Sequence, residues 1–310
     1  MEDYKMNIEE KKGYVMIAIA GTLWGSIGYF VNLLSQTGIE SSAIAFCRLL
    51  FGSIILVPIV LALNGKKGFK IDFKGLLTCI VLGVISQAAF NDMYVKSIQI
   101  VGVSTAAVLL YTSPIFVTIM ARLIYKEMLS FQKISALILC IGGCFLAVTG
   151  GNLSTISFDL KGVIFGLGAA FAYAIMTIIC KTFTQKYSPL TIIFYSFLFG
   201  ALAMFPMIDQ QSVVNSLLTA KGFFSAIAIG LFPAAGAYFF YMNGISKGLE
   251  ASNVSIIASI EIVISILFGV IVFKEPIGFL NIVGIFLFML SLILLNSAAV
   301  TTKLKALKTS

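Results

Sequence analysis

Two segments half a chain apart repeat one another. Leu49–Pro58 reads LLFGSIILVP and Phe197–Pro206 reads FLFGALAMFP, and Lys126-Glu127 recurs as Lys274-Glu275. Both recurrences are 148 residues apart in a chain of 310. A unit of that length is too long for a solenoid repeat. Each copy is instead a set of apolar runs of about 20 residues, long enough to cross a bilayer as helices. Ten such runs are legible, at 14–34, 41–63, 75–96, 102–125, 132–149, 161–183, 188–208, 222–245, 250–273 and 277–299. Five spans per copy is an odd number, so the second copy must cross the membrane in the opposite sense. The expected fold is an all-α membrane protein of ten transmembrane helices in two inverted five-helix repeats, 1–149 and 150–310, joined by the small polar stretch 150–157.

Composition supports the membrane reading. The chain is 59% hydrophobic and 11% charged, with a mean hydropathy of +1.04, more apolar surface than a soluble core of this size can hide. None of the runs alternates strictly, which argues against a β-barrel. The net charge of +8 is a topology signal. With a cytoplasmic N-terminus, sixteen Lys and Arg, Lys5 and Lys308 among them, fall on the cytoplasmic side. Lys96, Lys161, Lys221 and Lys274 fall outside, and Arg48 lies within a span. Such positive-inside asymmetry places both termini in the cytoplasm of an integral plasma (inner) membrane protein, with weak attraction to membrane lipid headgroups. No aromatic-basic platform accompanies the lysines, so nucleic acid is not a partner. The first apolar run is too long for a signal-peptide core and is expected to be a retained helix.

The five cysteines, Cys47, Cys79, Cys140, Cys144 and Cys180, all fall in spans, without metal-ligand spacing and in a chain with no histidine. They read as small buried hydrophobes, and neither a cofactor nor a metal is expected. The lack of histidine also excludes a His-based triad or metalloprotease. No phosphate-binding loop is present, so ATP drive within this polypeptide is not expected.

The matching positions run along nearly the whole chain. They are Ala20-Gly21-x-x-Trp24-Gly25 in span 1, Arg48 in span 2, Pro114 followed by Glu127 in span 4, Ala172-Tyr173 in span 6, and Glu261 followed by Glu275 in span 9. In this order and spacing the chain resembles the EamA-type branch of the drug/metabolite transporter superfamily. The resemblance implies a carrier of small metabolites, many such carriers being amino-acid or drug exporters. Ile262 stands where the family pattern usually places proline, so no proline kink is expected in span 9.

Charges inside a bilayer are costly, about 2.5–3.5 kcal/mol each on insertion scales, and three lie well inside spans. Arg48 and Asp92 have similar depths on adjacent spans, so an ion pair between them is expected, with Lys96 one helical turn from Asp92 as an alternative partner. Otherwise Arg48 holds a solute carboxylate and Asp92 takes up a proton. Glu261 lies near the midplane, where inverted-repeat carriers place their site. It is suited to binding an ammonium group, coupling to protons, or bonding backbone freed in a broken helix. Glu127 and Glu275, at helix ends, read as structural groups that face water or cap backbone.

Polar side chains fall on single helix faces. Gln87, Asn91 and Tyr94 share one on span 3, Ser252, Ser255 and Ser259 one on span 9, and Thr22, Ser26 and Tyr29 one on span 1. Lipid-facing stripes are not polar, so all three faces are expected to turn inward, lining a cavity or bonding between packed helices. Trp24, Tyr111, Tyr173, Tyr238 and Tyr241 lie deeper than an interfacial belt requires and suit an aromatic vestibule for apolar or cationic solutes. Gly21-x-x-x-Gly25 and Gly162-x-x-x-Gly166 allow close helix contact in the first span of each half. Pro114 is expected to kink span 4. The sequence points to a carrier that exports small amphipathic solutes, amino acids first, by alternating access. The alternative is a non-transporting structural or sensor membrane protein.

Overall fold

The computed structural model describes the backbone of residues 8–309, and the side chains of these except Thr155 and 296–309. Lys5 and the side chains of Lys303, Lys305 and Lys308, counted among the cytoplasmic charges, lie outside that description. All regular structure among the described residues is helical. Eight helices are long and apolar enough to cross a membrane: α1 (Ile8–Ser35), α2 (Ser41–Phe69), α3 (Phe73–Leu110), α5 (Phe131–Thr149), α6 (Leu160–Phe183), α7 (Pro189–Met207), α8 (Ala220–Ile245) and α9 (Ala251–Ile271). Two shorter apolar helices complete the set, α4 (Ser113–Tyr125) and α10 (Phe279–Leu295).

The third and fourth expected spans are divided differently from the sequence reading. Helix α3 runs through residue 102 instead of ending at 96, and it bends at Gly102 (φ 82°, ψ 164°). That conformation is strained for any residue with a Cβ, and it turns the chain without a separating loop. Pro114 does not sit mid-helix. It lies in the first turn of α4, where its missing N–H is harmless. The interruption falls just before it, at Tyr111–Thr112, where Thr112 N donates to Leu109 O (3.1 Å) in a three-residue turn. Helix α9 breaks at the equivalent place without any proline. Ser259 N donates to Ile256 O, Ile260 N to Ile257 O and Ile262 N to Ser259 O, at 3.2, 3.1 and 3.0 Å. The last regular residue before the gap is Ala258 and the first after it is Glu261. Wide turns recur as well, at Leu82–Ala89 in α3 and at Gly230–Gly236 in α8.

Packing exchanges elements between the halves. Helix α2 packs on α7, α5 on α10 and α4 on α9, so these elements meet their own counterparts. The remaining contacts come in matched sets: α1 lies against α8 and α9, as α6 lies against α3 and α4. The glycine pairs sit on these seams. A Cβ on Gly21 would stand 2.6 Å from Ala258 O, and one on Gly25 2.7 Å from Glu261 O, so α1 backs directly onto the break in α9. Gly162 and Gly166 similarly face Val101 and Leu109 at 2.5 and 2.6 Å.

Short connections bring the lysine-rich segments together at one end of the bundle. Lys186 pairs with Asp72 (3.3 Å), Lys247 with Glu9, and Lys133 with Glu250 (3.0 Å). At the other end Ser157 N donates to Thr105 Oγ1 (3.1 Å), Asn281 Nδ2 donates to Ala147 O (2.9 Å), and Lys221 donates to Gln36.

Candidate functional site

The break in α9 places Glu261 at the first position of a new helical segment. Among the described residues its carboxylate takes part in no ion pair. The residue is half-buried, and its neighbour Ile262 lines a cavity. Arg48 on α2 is a buried cation, only 8% exposed. Discontinuous helices carrying charged groups at their ends are the usual way a membrane protein builds a polar site at depth.

Arg48 does not pair with Asp92. The Asp92 carboxylate is held by Lys96 at 2.7 Å, one turn further along α3, with both side chains partly exposed. The i, i+4 spacing brings this partner in without crossing between helices. The Arg48 guanidinium instead donates through Nη2 to Asn91 Oδ1 (3.3 Å). Asn91 Nδ2 donates to Gln87 O (2.6 Å), and Gln87 Nε2 donates to Tyr238 Oη (2.9 Å). A polar chain thus crosses α2, α3 and α8. Gln87 is buried, whereas Asn91 and Tyr94 are half-buried.

An aromatic cluster adjoins this chain. The Trp24 ring lies 5.2 Å from Tyr238, 5.1 Å from Tyr241 and 6.1 Å from Tyr173, between centroids. Phe90 links Tyr173 to Tyr94, 6.0 Å from each. Tyr94 and Tyr111 then line a cavity of about 350 Å³ that continues past Ile262 and Ser265 to Ser104, Glu275 and Asn281. Such a volume holds a small metabolite.

Span 1 departs from its expected face. Tyr29 is not in the cluster and packs on Phe30 and Phe268 (5.4 and 5.9 Å). Thr22 is exposed. Its hydroxyl donates to Ala18 O (2.9 Å), and this bond to the preceding turn lets it leave the core. The hydroxyl of buried Ser26 donates to Leu23 O (2.6 Å), where α1 is interrupted. On α9, Ser259 is buried and donates to Ser255 O (3.1 Å), while the buried Ser255 hydroxyl has no partner among the described residues.

Several participants escaped the sequence reading. Phe90 lies next to the face on which Asn91 was noted. Thr177 on α6 shares a hydrogen bond with Tyr241 (2.7 Å), and its only sequence signal was a hydroxyl in an apolar run. Glu127 is more than a helix-end acid. It is 7% exposed, accepts from Lys181 Nζ (2.7 Å) and Ala251 N (2.7 Å), and also accepts from the Ser252 hydroxyl. Lys133 Nζ stands 3.7 Å away. Burial works against the Glu127 charge, but the bonds from Lys181, Ser252 and Ala251 outweigh it and hold the carboxyl below the usual carboxylate range.

Eight helices long and apolar enough to cross a membrane, with a polar chain and a cavity among them, mark a multi-pass integral membrane protein. The sequence model of the EamA-like transporter family matches residues 11–149 and 160–297, and the chain belongs to that family. It is similar to an uncharacterized inner membrane transporter of Salmonella typhimurium, YicL, at 28% identity over 227 residues, 71% of this chain and 75% of the relative. An uncharacterized transporter of Archaeoglobus fulgidus is 28% identical over 88% of this chain and 92% of its own length. An S-adenosylmethionine uptake transporter of Rickettsia felis is 27% identical over 77% of each chain. The fold is shared with a protein of known crystal structure at a TM-score of 0.76 and 14% identity, covering 97% of this chain and 99% of that one. Relatives named as transporters place this chain among membrane transporters of small-molecule solutes.

Proposed function

We propose that the protein is a secondary carrier of small amphipathic metabolites, amino acids first, working by alternating access and expected to export. In this reading the ten helices are two inverted five-helix units, with both termini cytoplasmic and 150–157 outside the plasma (inner) membrane. The matched contacts between halves support the inversion. The gathering of lysine-rich segments at one end supports the orientation.

One observation carries the solute class: Arg48 and Glu261 are opposite in charge and form no ion pair with one another among the described residues, Arg48 opens the polar chain that ends at Tyr238 beside Trp24, and Glu261 precedes Ile262 of the cavity wall. A zwitterion fits between two such charges. Its carboxylate meets the Arg48 guanidinium, its ammonium meets Glu261, and its side chain rests on the rings. Proton coupling is assigned to Glu261. Asp92 is left to its pair with Lys96. The Rickettsia felis relative is named for a solute that combines an amino-acid group with a cationic sulfur, and the same arrangement suits that chemistry. Its name speaks of uptake, so the test must read both directions.

The test is a flux screen in proteoliposomes with radiolabelled amino acids and S-adenosylmethionine, inside or outside, with and without a proton gradient. Saturable flux of at least one zwitterion, lost in Arg48→Ala protein of normal yield, is the expected result. No flux of any zwitterion would leave the structural or sensor reading in its place.

A further inference from the structure

The two Lys-Glu ends have the same backbone. Lys126 and Lys274 both take left-handed conformations, with φ of 56° and 57°. The next amide closes the same wide turn in each: Glu127 N donates to Ala121 O (3.3 Å) and Glu275 N to Gly269 O (3.0 Å). What each carboxylate faces is also related. Glu127 caps Ala251 and Ser252, where α9 starts. The residues 148 positions before these are Val103 and Ser104, where α3 restarts after the bend at Gly102. Helix starts present N–H groups that a carboxylate satisfies.

The Glu275 side chain does not make that contact. Glu275, Val103 and Ser104 all line the 350 Å³ cavity. Glu275 is exposed, and among the described residues its side chain has no hydrogen bond or ion pair. Its Oε2 is turned back toward Gly269, 2.5 Å from where a Cβ on that glycine would stand. One end is therefore capped and shut, and the same parts at the other end stand apart around open space.

We propose that Glu127 and Glu275 are alternating gate carboxylates, each closing its own end of the cavity by capping the restarted helix at that end, Ala251–Ser252 for Glu127 and Val103–Ser104 for Glu275. The proposal rests on the carrier reading above. The structure then holds the Glu127 end closed and the Glu275 end open. Opening the Glu127 end frees Ala251 and Ser252 and exposes the buried Ser255 hydroxyl one turn deeper. Closing the Glu275 end brings its carboxylate onto Ser104, with Gly102 as the hinge.

Cysteine labelling with a small charged maleimide tests this, against the background of the five buried native cysteines. Ser265→Cys reports the open end and Ser255→Cys the closed end. Glu127→Gln should raise labelling at Ser255→Cys by about tenfold and lower it at Ser265→Cys, as a population shift requires. Glu275→Gln should do the reverse, keeping Ser265→Cys reactive and Ser255→Cys protected even with a transported amino acid present. If Glu127→Gln protein fails to fold, Ser252→Ala, which removes one donor, should give the same shift in smaller measure. Labelling that rises at Ser255→Cys without falling at Ser265→Cys is local loosening and overturns the proposal, as does a Glu275→Gln protein indistinguishable from wild type. Flux without the reciprocal shift also overturns the gate and leaves the carrier standing. The reciprocal shift without flux keeps the gate and removes the carrier reading.

Discussion

Lys126-Glu127 and Lys274-Glu275 follow the same backbone path, yet the carboxylate of Glu127 is buried against two lysines and a helix start while that of Glu275 opens onto a cavity. An identical dipeptide in an identical turn thus has two environments in one molecule. The difference lies in the cations around each acid, one from its own half and one from the opposite half at the first end. Lys133 and Lys181 stand at the first end, whereas Asn281 occupies the position equivalent to Lys133 at the second. A charged end holds its acid strongly, and a neutral end holds it weakly. This bias is what favours one closed end over the other.

The largest effect should separate the two acids in stability. Glu127→Ala strands Lys181 in a largely buried site, and losing one partner of a buried pair typically costs about 3–5 kcal/mol. Glu275→Ala removes an exposed group and should stay within about 0.5 kcal/mol of wild type. Thermal unfolding in detergent checks both, and equal losses would erase the contrast. The same contrast has a pH signature. A carboxylate whose folded pKa is depressed contributes stability that is complete above its ordinary value of 4.5 and is lost as pH falls through the lower folded value. Wild-type protein should therefore lose stability in that acid window, and Glu127→Gln protein should lose less. An acid branch unchanged by Glu127→Gln would assign it to other groups.

The seams give an intermediate effect. Gly25→Ala places a Cβ within 2.7 Å of Glu261 O and 2.6 Å of Ile264 Cβ, and overpacking of this kind costs about 1–3 kcal/mol. Gly28→Ala, three residues on, meets nothing within 4 Å and should be neutral or slightly stabilising. Melting temperatures of the pair locate the seam on the Gly25 side of α1. The smallest effect belongs to Asp92. Its pair with Lys96 is partly exposed, and such pairs contribute about 0–1 kcal/mol. Asp92→Asn should leave folded yield and flux near wild type, and a large loss of flux would return Asp92 to the proton path.

Much of this arrangement was legible in the sequence because it rests on periodicity and charge. Apolar run lengths gave the helices, and the recurrence of Lys-Glu pointed to the two ends. Cross-chain partners were not legible. Depth alone paired Arg48 with Asp92, but two helix faces decide that contact, and Asn91, one residue away, points to Arg48 while Asp92 points to Lys96. The break in α9 was legible only as one option for Glu261, because it does not use a proline. Three-residue turns at Ser259–Glu261 make it, backed by Gly21 and Gly25 of α1, and no local residue type announces it. Tyr29 was placed on one face with Thr22 and Ser26 by helical spacing, which the interruption at Ser26 cancels.

The central claim is that Arg48 and Glu261 divide the two charges of one solute. Binding of a transported amino acid, measured by scintillation proximity on purified protein, tests it most directly when paired with the analogue lacking the amino group. Glu261→Gln should weaken binding of the amino acid by about tenfold or more, the equivalent of about 1.4 kcal/mol, and leave the des-amino analogue nearly unchanged. Equal weakening of both ligands, or unchanged binding of the amino acid, would contradict the account.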